Sequence, residues 1–434
     1  MMTEQMKPSG IPWIGDIPST WEIGRVKDYY DLQTGFTPDT SVSEYYDDEN
    51  GELWVSIADM DSRNISSTKS KVSKTYIRQY RPVISPTGSL LYSFKLSVGK
   101  VSFISEDMYT NEAIATFYPQ NVCLQYFYYS SAFIEENAKK NIYGAKILNQ
   151  DSIKNAYVPF PASREQKMIA DYLDGRCAEI DSIIADIEKQ IELLKQYKKS
   201  LITETVTKGL DKSVPMKDSG IEWIGAIPKK WFCKKLKYVC NRIGDIDHYM
   251  PDSVDDGIPY VMTGDFIGEA NRIDFDNCKK ISQKDFSQLS KRIKPEYGDI
   301  LLARYATIGV VRYVDTNRDF LVSYSCAIIK LSKSEMLSKY VYYFLKSNVF
   351  VEELKKFVNT NTQGNVGLDS IGKCKIPVPP VSEQIKIADS LDKQCEKIDA
   401  IISDKLQQLD IIQKHKKSLI YEYVTGKKRV KEAM

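Results

Sequence analysis

A near match to a nucleotide-binding loop is the first feature of the sequence that could carry chemistry. Residues 367–374 read GLDSIGKC, but Cys374 stands where a P-loop has the Ser or Thr that holds Mg²⁺, and the extended segment KIPVPP follows instead of a helix. Pro379-Pro380 is followed by Val381, so the aromatic residue of the amino-methyltransferase tetrapeptide is absent. The two histidines of the chain leave little room for imidazole catalysis. The sequence therefore predicts no catalytic, cofactor-binding or metal-binding residues, and a chain that is not an enzyme.

The composition is that of a globular protein rather than a membrane or secreted one. The chain has 434 residues, of which 42% are hydrophobic and 27% charged, which fits two to four domains. No apolar run reaches the ~20 residues that a membrane helix needs, and the first residues lack a signal-peptide pattern. Eight cysteines without CxxC pairs indicate reduced thiols, so we expect a cytoplasmic protein. The net charge of +2 does not by itself suggest DNA.

The sequence contains two pairs of repeated blocks, and these would form the elements that position any site. Residues 6–21 (MKPSGIPWIGDIPSTW) and 216–231 (MKDSGIEWIGAIPKKW) are identical at eleven of sixteen positions, at an offset of 210. Residues 151–210 and 369–428 share DSI, EQ, IA, LD and KKSLI at an offset of 218. The stretches between these blocks diverge in sequence. This pattern predicts two copies of one fold, either drifted duplicates or modules that bind different ligands, and we favour the second interpretation.

The divergent stretches, 28–150 and 238–368, have an α+β pattern. Strand-like runs are predicted at 53–57, 90–94, 101–105, 113–118, 260–262, 300–304 and 310–314, and helical stretches at 124–140 and 337–358. Turn glycines at Gly99 and Gly309 keep the two copies in frame.

The second pair of repeated blocks predicts long helices. Ser163 and Gln166 have the spacing of a capping box, and about forty residues without proline follow. Apolar residues then alternate at gaps of three and four, which is a coiled-coil seam: Leu173, Cys177, Ile180, Ile184, Ile187, Ile191, Leu194 and Leu201 in the first copy, and Leu391, Cys395, Ile398, Ile402, Leu409, Ile412 and Leu419 in the second. Lys198 occupies one seam position and Lys405 interrupts the second seam. We expect the two helices to pack antiparallel, although each could instead pack on an outside partner.

Two dissimilar modules joined by two similar long helices resemble the specificity subunit of type I restriction–modification systems. The paired SGIxWIGxIPxxW segments, the paired PxP…EQ…IA…LD…ID helix openings and the paired KKSLI endings carry the resemblance, which covers essentially the whole chain. It implies an α+β fold with two pseudo-two-fold-related α/β target recognition domains separated by two long antiparallel coiled-coil helices. The expected boundaries are 1–160 and 211–380 for the two domains, and 161–210 and 381–434 for the helices.

The resemblance also implies partners. Each target recognition domain would read one half of a bipartite site in double-stranded DNA, and the helices would dock methyltransferase subunits, expected to be two. Endonuclease/translocase subunits would complete the enzyme, and S-adenosylmethionine, ATP and Mg²⁺ would belong to these partners, with none bound by this chain and no membrane involved.

Base recognition needs donors and acceptors on loops, whereas phosphate contacts need Lys and Arg. The candidates are loop residues after the first repeated block, basic runs with a solvated helix face as their alternative, residues before the twin glycine turns, and the polar loop 359–363. They are Thr37, Lys71, Lys74, Arg78, Lys95, Arg242, His248, Lys280, Lys284, Arg304, Tyr305, Asn361 and Gln363.

Two other functions stay open from the sequence. One is the related specificity subunit of a system whose methylation and cleavage share a polypeptide. The other is a coiled-coil protein scaffold that binds no DNA.

Overall fold

The computed structural model describes residues 5–95, 97–119, 123–137, 139–140, 146–268, 271–331, 336–358 and 364–430. The chain divides into two compact units, unit 1 with residues 1–185 and 409–434, and unit 2 with residues 186–408. Each unit combines one globular module with one end of each of two long helices. We call residues 5–162 module 1 and residues 209–380 module 2.

Module 1 is built from short strands around two sheets. Its strands are β1 (Met6–Pro8), β2 (Asp16–Pro18), β3 (Glu22–Arg25), β4 (Leu32–Thr34), β5 (Glu52–Val55), β6 (Asn64–Ile65), β7 (Ser70–Val72), β8 (Leu90–Ser93), β9 (Val101–Ile104), β10 (Tyr109–Thr110), β11 (Ile114–Phe117), β12 (Lys139–Lys140), β13 (Lys146–Ile147) and β14 (Tyr157–Phe160). Its helices are α1 (Val26–Tyr29), α2 (Lys74–Tyr80), α3 (Leu124–Ser130) and α4 (Gln150–Lys154), and α5 (Ser163–Lys208) follows. Short 3₁₀ helices lie at Ser43–Tyr45, Ile57–Asp59 and Ser131–Asn137.

Module 2 repeats this order. Its strands are β15 (Met216–Asp218), β16 (Ala226–Pro228), β17 (Phe232–Lys235), β18 (Cys240–Gly244), β19 (Ile258–Val261), β20 (Lys279–Ile281), β21 (Ile300–Ala303), β22 (Val311–Tyr313), β23 (Leu321–Val322), β24 (Cys326–Leu331) and β25 (Lys375–Val378). Its helices are α6 (Gln283–Leu289), α7 (Ser338–Leu345), α8 (Asn348–Lys355) and α9 (Leu368–Lys373), and α10 (Val381–Val424) follows. Its 3₁₀ turns lie at Leu236–Tyr238 and Thr263–Asp265.

The sheets show that the two modules share one plan. In module 1 a sheet in the order β4-β11-β8-β9-β6 accompanies a three-stranded sheet in the order β10-β5-β7. In module 2 the corresponding orders are β18-β24-β21-β22 and β23-β19-β20. The pairs β5–β10 and β19–β23 are both parallel, so these strands occupy equivalent places in the two modules. The predicted α+β fold is confirmed in each module.

The second tryptophan of each repeated block attaches its module to the start of a long helix. Trp21 is fully buried, and its indole N–H donates to Glu165 of α5 at 2.9 Å. Trp231 is equally buried and donates to Glu383 of α10 at 2.8 Å. A buried indole nitrogen usually has a hydrogen-bond partner, and the carboxylate in the first turn of each helix provides one, which links the WIGxIPxxW block to the EQ helix opening.

Within each unit the ends of α5 and α10 run antiparallel. In unit 1 the Lys416 ammonium lies 2.6 Å from Asp181, and the Tyr423 hydroxyl donates to Tyr172 at 3.2 Å. In unit 2 Lys198 pairs with Asp399, while residues further along α5 share a core with residues nearer the start of α10. The predicted seam residues are buried or partly buried, so the helices do pack on each other inside each unit.

Three local expectations differ from the structure. The expected capping box is wrong, because the Gln166 amide donates instead to the Pro161 carbonyl at 2.8 Å. The helix expected over 124–140 is α3 followed by a 3₁₀ turn and strand β12. The helix expected over 337–358 is divided into α7 and α8, because the Ser347 hydroxyl caps the second helix by accepting from the Phe350 N–H at 3.4 Å.

Candidate nucleic-acid interface

Two loops of module 1 meet at the ends of the two sheets. The loop that follows β4 lies against the turn between β10 and β11, and the Phe36 N–H donates to the Thr110 carbonyl at 2.8 Å. Gly35 permits this approach, because a Cβ atom there would lie 1.9 Å from the Thr110 carbonyl oxygen. The side chains of Thr37 and Glu112 are consequently brought to the same exposed edge.

A small polar network sits on this edge. The Thr37 hydroxyl donates to the Glu112 carboxylate and accepts from the Asn111 amide at 2.7 Å. The Asn111 side-chain oxygen in turn accepts from the Ala113 N–H at 2.8 Å, which fixes the orientation of the amide. The Thr37 hydroxyl proton is therefore engaged in a hydrogen bond within the module, and the Glu112 carboxylate is the group that faces outward.

The hairpin between β8 and β9 borders the same network. The Phe94 N–H donates to the Ala113 carbonyl at 3.0 Å, so the exposed side chain of Lys95 lies beside the turn that carries Glu112. We call the β4 loop, this hairpin and the 110–113 turn loop site 1. It brings together two of the predicted contacts, Thr37 and Lys95.

Module 2 has an equivalent loop site 2. It consists of residues 245–249 after β18, the hairpin between β21 and β22, and the turn 322–325. The Asn111 N–H donates to Val55 at 2.9 Å and the Ser323 N–H donates to Val261 at 2.8 Å, which aligns the two turns residue by residue. By this alignment Tyr324 occupies the position of Glu112.

The chemistry at loop site 2 is aromatic. The His248 ring stacks on the Tyr324 ring, with centroids 4.7 Å apart and planes at 20°. Tyr305 approaches the same ring edge-on at 6.2 Å. Two predicted contacts, His248 and Tyr305, are thus brought together around Tyr324, which sequence reasoning missed.

A buried ion network supports loop site 2. Asp245 is 2% exposed, and its carboxylate accepts from Arg304 and, at 3.1 Å, from Arg292. Arg304 also donates to the Val366 carbonyl at 3.0 Å. The predicted contact Arg304 therefore lies inside the module, where it holds the loop that carries His248.

The basic run of module 1 lies on β7 and α2, next to loop site 1. Ser73 caps α2, and Tyr76 of this helix stacks on Phe36 at 5.4 Å, so the helix is adjacent to Thr37. The exposed side chains that the sequence predicted as phosphate contacts, Lys74 and Arg78, project from it. On β7, the Lys71 ammonium donates to the Glu49 carbonyl at 3.1 Å.

The corresponding run of module 2 lies on β20 and α6. Lys284 is exposed on α6, and the Lys280 ammonium donates to the Asp255 carbonyl at 3.5 Å. Arg292, just after α6, reaches Asp247 of loop site 2 at 2.7 Å, so this helix is also adjacent to its loop site. Arg242 is exposed on β18, where it lines a pocket with residues of α9.

Two predicted contacts, Asn361 and Gln363, lie outside the described residues. Asn111, Glu112 and Tyr324 were missed because they lie in divergent sequence without a basic run or a glycine turn beside them. Gly309 follows Gly99 by 210 residues, whereas Tyr324 follows Glu112 by 212. Aligning the two copies beyond the twin glycines with an offset of 212 would have placed Glu112 and Tyr324 at equivalent positions.

Both loop sites offer hydrogen-bonding and stacking groups suited to recognition. Burial raises the pKa of the Cys326 thiol, next to loop site 2, to about 12, so this cysteine is a neutral core residue and not a nucleophile. Within the described part of the chain, no cluster of three or more His, Cys, Asp or Glu side chains could hold a metal ion. In the same part, none of the helices is both long enough and apolar enough to span a membrane.

Comparison with known proteins gives a consistent family. The model of the type I restriction modification DNA specificity domain matches residues 18–193 and again residues 228–410. The type I restriction enzyme MjaVIII specificity subunit of Methanocaldococcus jannaschii is 26% identical over 96% of this chain and 94% of its own length. The EcoBI specificity subunit of Escherichia coli is 23% identical over 63% of this chain and 60% of its own length.

A solved structure has the same fold. It is described as showing complex assembly and conformational transition of the type I R-M system, and one of its chains aligns with a TM-score of 0.62 and 15% identity over 94% of this chain and 98% of that chain. Because the family model matches most of the sequence, in two successive stretches, the chain belongs to the family of the type I restriction modification DNA specificity domain.

Proposed function

We propose that the chain is the specificity subunit of a type I restriction–modification system, in which each module reads one half of a bipartite DNA site. The observation that carries this proposal is the pair of loop sites. The backbone places Glu112 and Tyr324 at equivalent positions, yet one loop site presents a carboxylate network and the other an aromatic shelf. One scaffold with two different sets of contact groups suits two different half-sites.

The basic helices beside the loop sites supply the phosphate contacts in this proposal. Lys74 and Arg78 on α2 are exposed next to loop site 1, and Lys284 on α6 is exposed next to loop site 2. Phosphate contacts fix the register of a protein on DNA, and base contacts add specificity. With a net charge of only +2, this chain would leave much of the DNA clamp to its partners.

The long helices are the proposed docking surface for methyltransferase subunits, of which we expect two. Beside the buried seam they carry large apolar side chains that are about half exposed, namely Ile183, Leu193, Tyr197, Ile401, Leu406 and Ile411. Exposed apolar groups along a helix favour a protein partner. Catalysis, with S-adenosylmethionine, ATP and Mg²⁺, would belong to the methyltransferase and endonuclease/translocase subunits, and the complex would act in the cytoplasm.

Module exchange tests this function. The chain is co-expressed with its methyltransferase and the methylated sites are mapped by sequencing. We expect a bipartite motif, and we expect replacement of residues 28–150 by the module of another specificity subunit to change one half-site and preserve the other. A change of both half-sites, or of neither, contradicts the proposal, and the unaltered chain with the same methyltransferase is the control.

A further inference from the structure

The outward carboxylate of loop site 1 is a costly group at a DNA surface. Glu112 is exposed, and among the described residues its carboxylate accepts one hydrogen bond, from the Thr37 hydroxyl. A carboxylate near phosphates is repelled by them, so it weakens binding unless it gains a specific partner. In the major groove that partner is an exocyclic amino group, the N4 amine of cytosine or the N6 amine of adenine.

The surrounding network prepares the carboxylate for such a contact. Thr37 holds one oxygen of Glu112, and Asn111 holds Thr37 at 2.7 Å. Asn111 is itself fixed by the Ala113 N–H at 2.8 Å. A chain of three oriented polar groups restricts the rotamers of an otherwise flexible Glu, which lowers the entropy lost on binding. The second carboxylate oxygen keeps its lone pairs for a base.

The carboxylates of loop site 2 are used differently. Asp245 is buried between two arginines, with the His248 Nε2 atom 3.5 Å away, and Asp247 is paired with Arg292 at 2.7 Å. The position equivalent to Glu112 is held by Tyr324, whose ring is covered by His248. Loop site 2 therefore lacks an outward acceptor of this kind at that position, and offers ring surfaces and a hydroxyl instead.

We propose that Glu112 selects the base at one position of the half-site read by module 1, accepting from the exocyclic amino group of cytosine or adenine, and that Tyr324 contacts a base of the other half-site through its ring or hydroxyl. Thr37 and Asn111 are positioning residues that act through Glu112. A carboxylate repels the carbonyl acceptors of guanine and thymine at that groove position, so rejection adds to the selectivity. This inference rests on the proposed function.

The test is the methylation motif of complexes that carry Glu112→Gln. Glutamine keeps the shape of the side chain but offers both a donor and an acceptor, so the requirement for an amino group is relaxed. We expect one base pair of the module 1 half-site to lose its preference for C or A, about tenfold or more, while the other half-site is unchanged. The base found in the unaltered motif distinguishes cytosine from adenine. Glu106→Gln, an exposed carboxylate of the same module, is the matched control.

Each outcome decides the inference. An unchanged motif, or a change in the half-site of module 2, overturns it, whereas Tyr324→Ala should alter only that second half-site. If Glu112→Gln complexes methylate nothing, binding to duplexes with each base at every half-site position is measured. Loss confined to the amino-bearing base supports the inference, and a uniform loss overturns it. Absence of any bipartite motif with the unaltered chain would instead count against the proposed function.

Discussion

In unit 2, the ammonium of Lys198 on α5 lies 2.6 Å from both carboxylate oxygens of Asp399 on α10. Lys198 occupies a seam position of the coiled coil, and its side chain is only 8% exposed. A lysine buried between helices is tolerated when its charge is paired in good geometry. The charged seam position is therefore an interhelical ion pair, and it sets which residues of the two helices face each other within this unit.

Breaking this pair from the carboxylate side should destabilise the protein strongly. Asp399→Asn leaves a charged lysine buried without a counter-ion, which costs about 3 kcal/mol. Lys198→Met should cost less, because Asp399 is 33% exposed and can be solvated. Urea denaturation measures both, and the double variant Lys198→Met/Asp399→Leu should recover most of the loss, since an apolar pair of similar volume suits a seam.

The twin pair in unit 1 is the control. Lys416 and Asp181 are also 2.6 Å apart, but their side chains are 27% and 55% exposed. Solvent screens such a pair, so Asp181→Asn should change the free energy of unfolding by about 1 kcal/mol or less. Equal losses for the two Asp→Asn variants would show that burial does not govern these ion pairs.

The seam and the proposed docking surface can be separated by two nearby substitutions. Ile191 is 6% exposed in the seam, whereas Leu193, two residues away, is 53% exposed. Ile191→Asp buries a carboxylate and should cost about 3 kcal/mol or more of stability. Leu193→Asp should change stability by about 0.5 kcal/mol or less, yet weaken co-purification with the methyltransferase. If Leu193→Asp assembles normally, that face of α5 is not the docking surface.

The turn after α10 depends on glycine for two reasons. Gly426 has a left-handed φ of 71°, and a Cβ there would lie 2.4 Å from the Pro18 ring. Gly10 has nearly the same φ, 75°, with nothing within 4 Å of the added atom. Gly10→Ala should therefore cost only backbone strain, about 1–2 kcal/mol, whereas Gly426→Ala should cost about 1–3 kcal/mol more from overpacking. Thermal unfolding of the two variants compares them, and equal losses would mean that the Pro18 contact relaxes freely.

Much of the scaffold could be predicted from the sequence because the spacing of apolar residues along the chain indicates it. The seam from Leu173 onwards and its twin from Leu391 follow from gaps of three and four residues, and the structure buries or partly buries the residues of both. The partner of Lys198 could not be predicted. Asp399 is 201 residues away in sequence, and it faces Lys198 only because of the register in which the two antiparallel helices pack.

The loop sites were predictable only in part, for the same reason. Thr37 and His248 follow the repeated block and could be found by alignment. Arginine is a residue type typical of surface contacts with DNA, but Arg304 is buried because it pairs with Asp245, which is 59 residues away in sequence. Glu112 and Tyr324 reach the loop sites through strand pairing, and the alignment that equates them needs an offset of 212 residues, whereas the twin glycines Gly99 and Gly309 are 210 residues apart.

The last prediction concerns the spacer between the two half-sites. In the proposed function α5 and α10 fix the number of unread base pairs, so lengthening both helices should lengthen the spacer. Four residues inserted after Gln190 add about one helical turn, ~6 Å, or roughly two base pairs at 3.4 Å each.

In the proposed function one insertion is not enough. An insertion in α5 alone would separate Asp181 from Lys198 by an extra turn, while their partners Lys416 and Asp399 on α10 would keep their spacing, so one of the two ion pairs would break. A matched insertion after Gln408 restores both pairs and keeps each seam nearly in phase. We therefore expect the double insertion to methylate the same two half-sites with a longer spacer, and the single insertion to lose stability. Methylation mapping decides between these outcomes: an unchanged spacer in a fully active double insertion would show that these helices do not set the distance.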